Sequence, residues 1–305
     1  MKEAAAPATG RPAGRKRQMD RIRFGPAGNS DSFAAMGYKG NKDAVSYVVQ
    51  MGLDAYEYQC GRGVRVSDET AALLKEQAQS QDVVLTLHAP YYISLSSVDE
   101  EKRNNSIDYI LQSARAVRKL GGRRIVVHSG STAKMTRQEA TELAAATLRK
   151  AQQALDAEGL DDVILCPETM GKIGQLGTLD EVLTLCGVDE RMLPCIDFGH
   201  LNSRTLGGVQ TQADFLGILD AVENALGVDR MRRFHAHFSK IEYTAGGEKQ
   251  HLTFADTQFG PNFEPLAEVL VRKNACPIVI CESDGTQAED ALAMRRMYEA
   301  AAGRS

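Results

Sequence analysis

Three carboxylates, Glu168 in VILCPET, Asp197 in LPCIDFG and Glu282 in PIVICES, stand at the ends of short apolar runs, and several of the six histidines do the same. Taken singly, such a histidine is more often a satisfied core residue than a ligand, and a glutamate after Cys-Pro could simply cap the next helix. Gathered at one place, however, the carboxylates would repel one another unless cations lay between them. Divalent metal ions turn both residue types into ligands. A mixed nitrogen and oxygen set suits Zn²⁺, with Mn²⁺ or Fe²⁺ as substitutes, better than Mg²⁺ or Ca²⁺. The candidate ligands are His88, His128, Glu168, Asp197, His200, His237, His251 and Glu282. They exceed the needs of one ion, so about two or three ions are expected, an arrangement that clamps attacking and leaving oxygens in phosphoryl transfer.

What gathers these residues is the order of elements. Strand-like runs at 21–28, 55–60, 83–90, 124–130, 163–169, 193–199, 233–239 and 277–283 alternate with helical patterns at 41–51, 67–80, 98–120, 136–158, 178–186, 211–226, 263–273 and 286–302. Strand and helix repeated in series over 20–305 predict an α/β fold, a single (β/α)₈ TIM barrel, whose site lies at the C-terminal ends of the strands. His88, His128, Glu168, Asp197, His237 and Glu282 all fall at such ends. His235 precedes His237 by two residues and faces the same interior one layer deeper, as a hydrogen-bond partner beneath the site, with direct ligation as the alternative. Cys166 and Cys195 bear the same relation to Glu168 and Asp197 and are expected as core filler. No G-x-G-x-x-G or G-x-x-x-x-G-K-[ST] stands at a strand-to-helix turn, which removes the main support for a nucleotide fold.

The composition is that of a soluble globular protein, with 43% hydrophobic residues and a net charge of −4, so a nucleic acid would have to be held by a local basic groove. The six cysteines form no C-x-x-C pair and predict reduced thiols. Residues 1–19 are Ala/Pro/Gly-rich and then basic, and predict a disordered arm. With no apolar run long enough for a bilayer and no secretory h-region, a cytoplasmic protein with no membrane partner is expected.

The order LHAPYYISL, VVHSG, PETMG, CIDFGH, HFSK, ICES resembles the endonuclease IV family of apurinic/apyrimidinic endonucleases, zinc enzymes of DNA repair within the xylose isomerase-like TIM barrels, over residues 22 to 300. The resemblance implies a first zinc on His88, His128 and Glu168, and a second on Glu168, Asp197, His237 and Glu282. A third would involve His200 and His251. Glu168, Asp197 and Glu282 become the catalytic carboxylates of a phosphodiester hydrolase. Its bridging water or hydroxide attacks the phosphate 5′ to an abasic site in damaged double-stranded DNA. Tyr91 and Tyr92 take the positions that probe the DNA stack, and a monomer is expected. Arg62, Lys240, Lys249, Arg65 and Arg204 follow strand ends where a phosphate-contacting rim could form.

Two departures mark a divergent branch. The third zinc of the family also takes an aspartate two residues before the histidine; Lys249 stands there, with Glu248 one residue further back as a substitute if the loop is rearranged. Otherwise the third ion is weakened or absent, and Lys249 is the candidate to supply the positive charge at the leaving oxygen. HFSK also replaces a longer H-L-N-D-[SA]-K pattern. Two rivals remain: a one-metal sugar isomerase or epimerase of the same superfamily, and a damage-binding relative without turnover.

Overall fold

In the computed structural model, residues 21–304 are described, and the arm at 1–19 lies outside them. The strands are β1 (Arg23–Pro26), β2 (Ala55–Gln59), β3 (Val84–His88), β4 (Arg124–His128), β5 (Ile164–Glu168), β6 (Cys195–Asp197), β7 (His235–Phe238), β8 (Lys240–Thr244), β9 (Gly247–Leu252) and β10 (Ile278–Cys281). Eight of them form one parallel sheet in the order β1-β10-β7-β6-β5-β4-β3-β2. A parallel bridge between Ala27 and Glu57 and a 3.0 Å bond from the Gly28 N–H to the Glu57 carbonyl join β1 to β2. The fold is the expected (β/α)₈ barrel.

Helices follow the strands as the sequence predicts, and five of the helices that follow strands begin at a side-chain cap. The side chains of Ser67, Asp99, Thr136, Thr178 and Thr211 accept hydrogen bonds from N–H groups of the first helical turn. Three of these starts are full capping boxes, closed by Glu139, Glu181 and Asp214.

Alternation along the strands then separates two interiors. Ile125, Val127, Leu165, Ile196, Ala236 and Phe238 face the helices in the large outer core. Val126, Cys166, Leu193 and Cys195 pack with one another inside the barrel, as do Ala55, Ile278 and Ile280. Cys166 and Cys195 are the expected filler, with thiols pushed up by burial. No helix among the described residues is long and apolar enough to cross a membrane.

Two local outcomes differ from expectation, and both bear on the site. The run at 193–199 stays extended only for Cys195–Asp197, and a helix, Phe198–Arg204, begins at once. The stretch after β7, expected as a loop, is the antiparallel hairpin β8–β9.

Candidate metal centre

At the C-terminal ends of β3, β4 and β5, the sheet register places His88, His128 and Glu168 side by side. His128 pairs with Glu168, and His88 with the neighbouring Val126. Glu168 Oε2 lies 3.4 Å from Nε2 of both His88 and His128. The Nδ1 of His88 is 2.9 Å from the Ala89 carbonyl, so it donates there and turns Nε2 inward. Burial pulls the His88 imidazole down, but the Glu168 carboxylate outweighs this and lifts it to about 9. In His128 burial wins and lowers it to about 4. Burial pushes the Glu168 carboxyl up, yet His237, His88 and His128 hold it well below the usual range.

The next group comes from β6, β7 and the end of β10. Ligand atoms of Glu168, Asp197, His237 and Glu282 all lie within 4.8 Å of one another. His237 Nδ1 is 3.0 Å from Glu168 Oε1 and 3.4 Å from Glu282 Oε1. Asp197 caps the helix Phe198–Arg204, accepting the His200 N–H at 2.7 Å on Oδ1. Capping explains why this strand ends so abruptly, and it leaves the other oxygen, Oδ2, for the site. Burial drives the Asp197 carboxyl up to about 7. Glu282 is pushed up by burial but drawn down further by His237.

Beneath this group stands a residue that the sequence reading missed. Glu57, in the middle of β2, is fully buried and accepts hydrogen bonds from His235 Nε2 and Thr86 Oγ1, each at 3.0 Å. Its Oε1 is 3.1 Å from His237 Nε2, a contact too poorly aligned to count as a hydrogen bond and therefore electrostatic. Glu57 thus holds both histidines of β7 from below, so His237 presents Nδ1 to the cluster. His235 lies one layer deeper, as expected, and burial lowers it to about 4.

The third group is built by the hairpin. His200, on the helix that Asp197 caps, directs Nδ1 to the Thr169 carbonyl at 2.9 Å. His251 is held by Ser239 Oγ at 2.8 Å from its Nδ1. Their ligand atoms and one of Glu282 lie within 4.8 Å of one another. In the β8–β9 ladder Glu242 pairs with Gln250, but Tyr243 pairs with Glu248, so Lys249 is the extra residue of a β-bulge. A bulge breaks the in-and-out alternation of its strand, and here Glu248 turns to the His251 side. Glu248 Oε2 lies 3.5 Å from His200 Nε2, and Oε1 lies 4.0 Å from His251 Nε2. Gly171 makes room, since a Cβ there would come within 2.6 Å of the Glu248 Cβ. Lys249 points outward, its ammonium 2.6 Å from Glu242 Oε1. The expectation that Lys249 brings its charge to the site does not hold, because the bulge turns it to solvent.

The donor set fits divalent metal ions. Glu168 Oε2 and Asp197 Oδ2 are buried, make no hydrogen bond and face only imidazole nitrogens, of His88 and His128 at 3.4 Å and of His200 at 3.2 Å, a setting that is costly for carboxylate oxygens unless a cation answers them. Imidazoles oriented by carbonyl, hydroxyl or carboxylate partners are what metal-ligating histidines require. Cys195 also comes near His235 and His237, but burial keeps its thiol neutral and both histidines are engaged by Glu57.

Comparison with known proteins assigns this geometry to a family. Residues 45–299 match the model of the xylose isomerase-like TIM barrel. The chain belongs to the xylose isomerase-like TIM barrel family. An uncharacterized protein of Methanocaldococcus jannaschii is 34% identical over 83% of this chain and 90% of its own. A probable endonuclease 4 of Methanosphaera stadtmanae is 28% identical over 53% of this chain and 57% of its own. Among solved structures, a D-tagatose 3-epimerase-like protein superposes with a TM-score of 0.69 at 18% identity, covering 93% of this chain and 99% of the other. Endonuclease IV from Thermus thermophilus does so with 0.63 at 19%, covering 93% and 100%. At such identities the structural likenesses establish the fold alone.

Around the mouth of this xylose isomerase-like barrel, Tyr91 and Tyr92 are exposed, at 59% and 56%. The Tyr91 ring leans over the first group, with centroids 5.5 Å from His128 and 5.8 Å from His88. It rests on Gly61, where a Cβ would meet the ring at 2.5 Å. Arg62 and Arg65 are exposed on the loop after β2. Two other rim candidates are not free cations. Lys240 is buried, its ammonium donating to the carbonyls of Phe254 and Asp256. Arg204 donates to the carbonyls of Met170, Lys172, Ile173 and Gln175, so both side chains tie loops down.

Proposed function

We propose that this barrel is a zinc-dependent endonuclease that hydrolyses the DNA backbone 5′ to abasic sites, acting as a monomer in DNA repair. The supporting observation is the number of oriented donors. A one-metal sugar epimerase needs only the set Glu168, Asp197, His237 and Glu282, and leaves His88, His128, His200, His251 and Glu248 without a task. The first ion would be held by His88, His128 and Glu168, and the second by Glu168, Asp197, His237 and Glu282. For the third, Glu248 takes the place of the aspartate that Lys249 displaces, beside His200 and His251. Mn²⁺ or Fe²⁺ would serve as substitutes.

When bound, ions there supply Lewis-acid charge at a phosphoryl oxygen and lower the pKa of water. The protein supplies position. Asp197 is fixed by its capping bond to the His200 N–H, and Glu57 holds His237 from beneath. Glu168, shared by two groups, spaces them. Tyr91 and Tyr92 present aromatic faces at the mouth, where an interrupted base stack would meet them, and Arg62 is placed to meet a phosphate.

The test is cleavage of a duplex oligonucleotide carrying one tetrahydrofuran site by zinc-loaded protein, with the undamaged duplex as control. Nicking 5′ to the lesion is expected. Full metal occupancy with no nicking, together with epimerisation of a ketose, would replace this reading with the sugar-epimerase one. Lesion binding without nicking would make the chain a damage-binding relative.

A further inference from the structure

The barrel has a second opening, at the N-terminal ends of β1, β3, β4, β5 and β10, away from the metal centre. A cavity of about 360 Å³ lies there. Its wall carries Arg21, Arg23, Lys75, Arg123 and Arg124 and no carboxylate. Some of this charge is answered from outside the wall. Arg21 and Arg23 reach Asp82, at 2.9 and 3.0 Å, and Asp54, at 3.2 and 3.7 Å, and Arg123 reaches Asp162 at 3.5 Å. Arg124 is different. It is 6% exposed, its guanidinium donates to the Phe234 carbonyl at 3.1 Å, and among the described residues no carboxylate lies within ion-pair distance of it. Burial accordingly draws its pKa down. Arg23 Nε is also buried with no hydrogen-bond partner.

A buried guanidinium without a counter-charge is destabilising unless an anion offsets it. The wall also supplies apolar surface, from Leu85, Leu120 and Ile278, beside the cations. Planar guanidinium forks with a lysine match a phosphate more closely than a lone carboxylate, and the volume lies at the small end of organic-ligand sites. We propose that this floor cavity binds a phosphate group, free or as the head of a small ester whose organic body covers the apolar wall.

The full zinc-loaded chain would be titrated calorimetrically with inorganic phosphate and with phenyl phosphate, at constant ionic strength. Because phosphate also binds metal ions, three variants locate the site. Expected is saturable binding that weakens about tenfold in Arg124→Met and at least about threefold in Lys75→Glu, and that persists in Glu282→Gln. Tighter binding of phenyl phosphate would identify an ester as the ligand; equal binding would identify the free ion. Should Arg124→Met fail to fold, Lys75→Glu decides, since Lys75 is exposed. Absence of saturable binding to wild type, or binding that is unchanged in Lys75→Glu or in folded Arg124→Met, would overturn the proposal.

Discussion

Replacing Glu57 by glutamine keeps the shape of the side chain and removes its charge. In the native barrel this carboxylate takes donors from His235 and Thr86 at 3.0 Å and lies 3.1 Å from His237 Nε2. Two full charges at that distance interact by about 5 kcal/mol at an effective dielectric near 20, which is a ceiling. A neutral imidazole carries only part of that charge, and removing the carboxylate relieves its burial cost, which leaves roughly 2 kcal/mol, or about thirtyfold in affinity. The loss falls on the group that His237 serves. Zinc affinity of Glu57→Gln and wild type would be compared by chelator competition, with circular dichroism as the check on folding. A folded variant that binds every zinc as tightly as wild type would refute the idea that Glu57 acts through His237.

Other outcomes follow from the same geometry. Glu248→Ala should lose about one equivalent of zinc, whereas Lys249→Ala should lose none, as metal analysis of the two purified variants would reveal. Gly61→Ala forces the Tyr91 ring from its seat and should lower abasic-duplex affinity as far as Tyr91→Ala does, by about 1–3 kcal/mol in a fluorescence-anisotropy titration, with zinc content unchanged. In the metal-free protein His88 and His200 are raised from 6.5 to about 9, so their stabilisation is complete below pH 6.5 and is lost as pH rises through 9. The melting temperature of metal-free protein should therefore fall across that window, while zinc binding at pH 7.5 should release protons, measurable by calorimetry in buffers of different ionisation enthalpy.

The barrel was legible because strand–helix alternation is a property of the one-dimensional pattern. The polar strand ends were legible because closure sends them all to one rim. Register and side-chain direction were not. Lys249 occupies the position two residues before His251, and nothing in GGEKQH tells that a bulge turns Lys249 out and Glu248 in. Glu57 is one charged residue in AYEYQC, and the only signal it offered was a carboxylate in the middle of an apolar strand. Its partners come from β7, far along the chain. Lys240 and Arg204 looked like rim cations because their positions follow strand ends, but a long side chain can turn back to carbonyls of its own loops. The opening helix at Phe198 was hidden in the same way: Asp197 served both as strand end and as cap, and only the 2.7 Å bond to the His200 N–H separates the two uses.

If the mouth holds several metal ions, with Glu248 completing the outermost set, the protein carries them in fixed number. The measurement is the zinc content of the purified 305-residue chain, by plasma mass spectrometry against amino-acid analysis after exhaustive dialysis. About three ions per chain are predicted. A single exchangeable ion per folded chain would contradict the account.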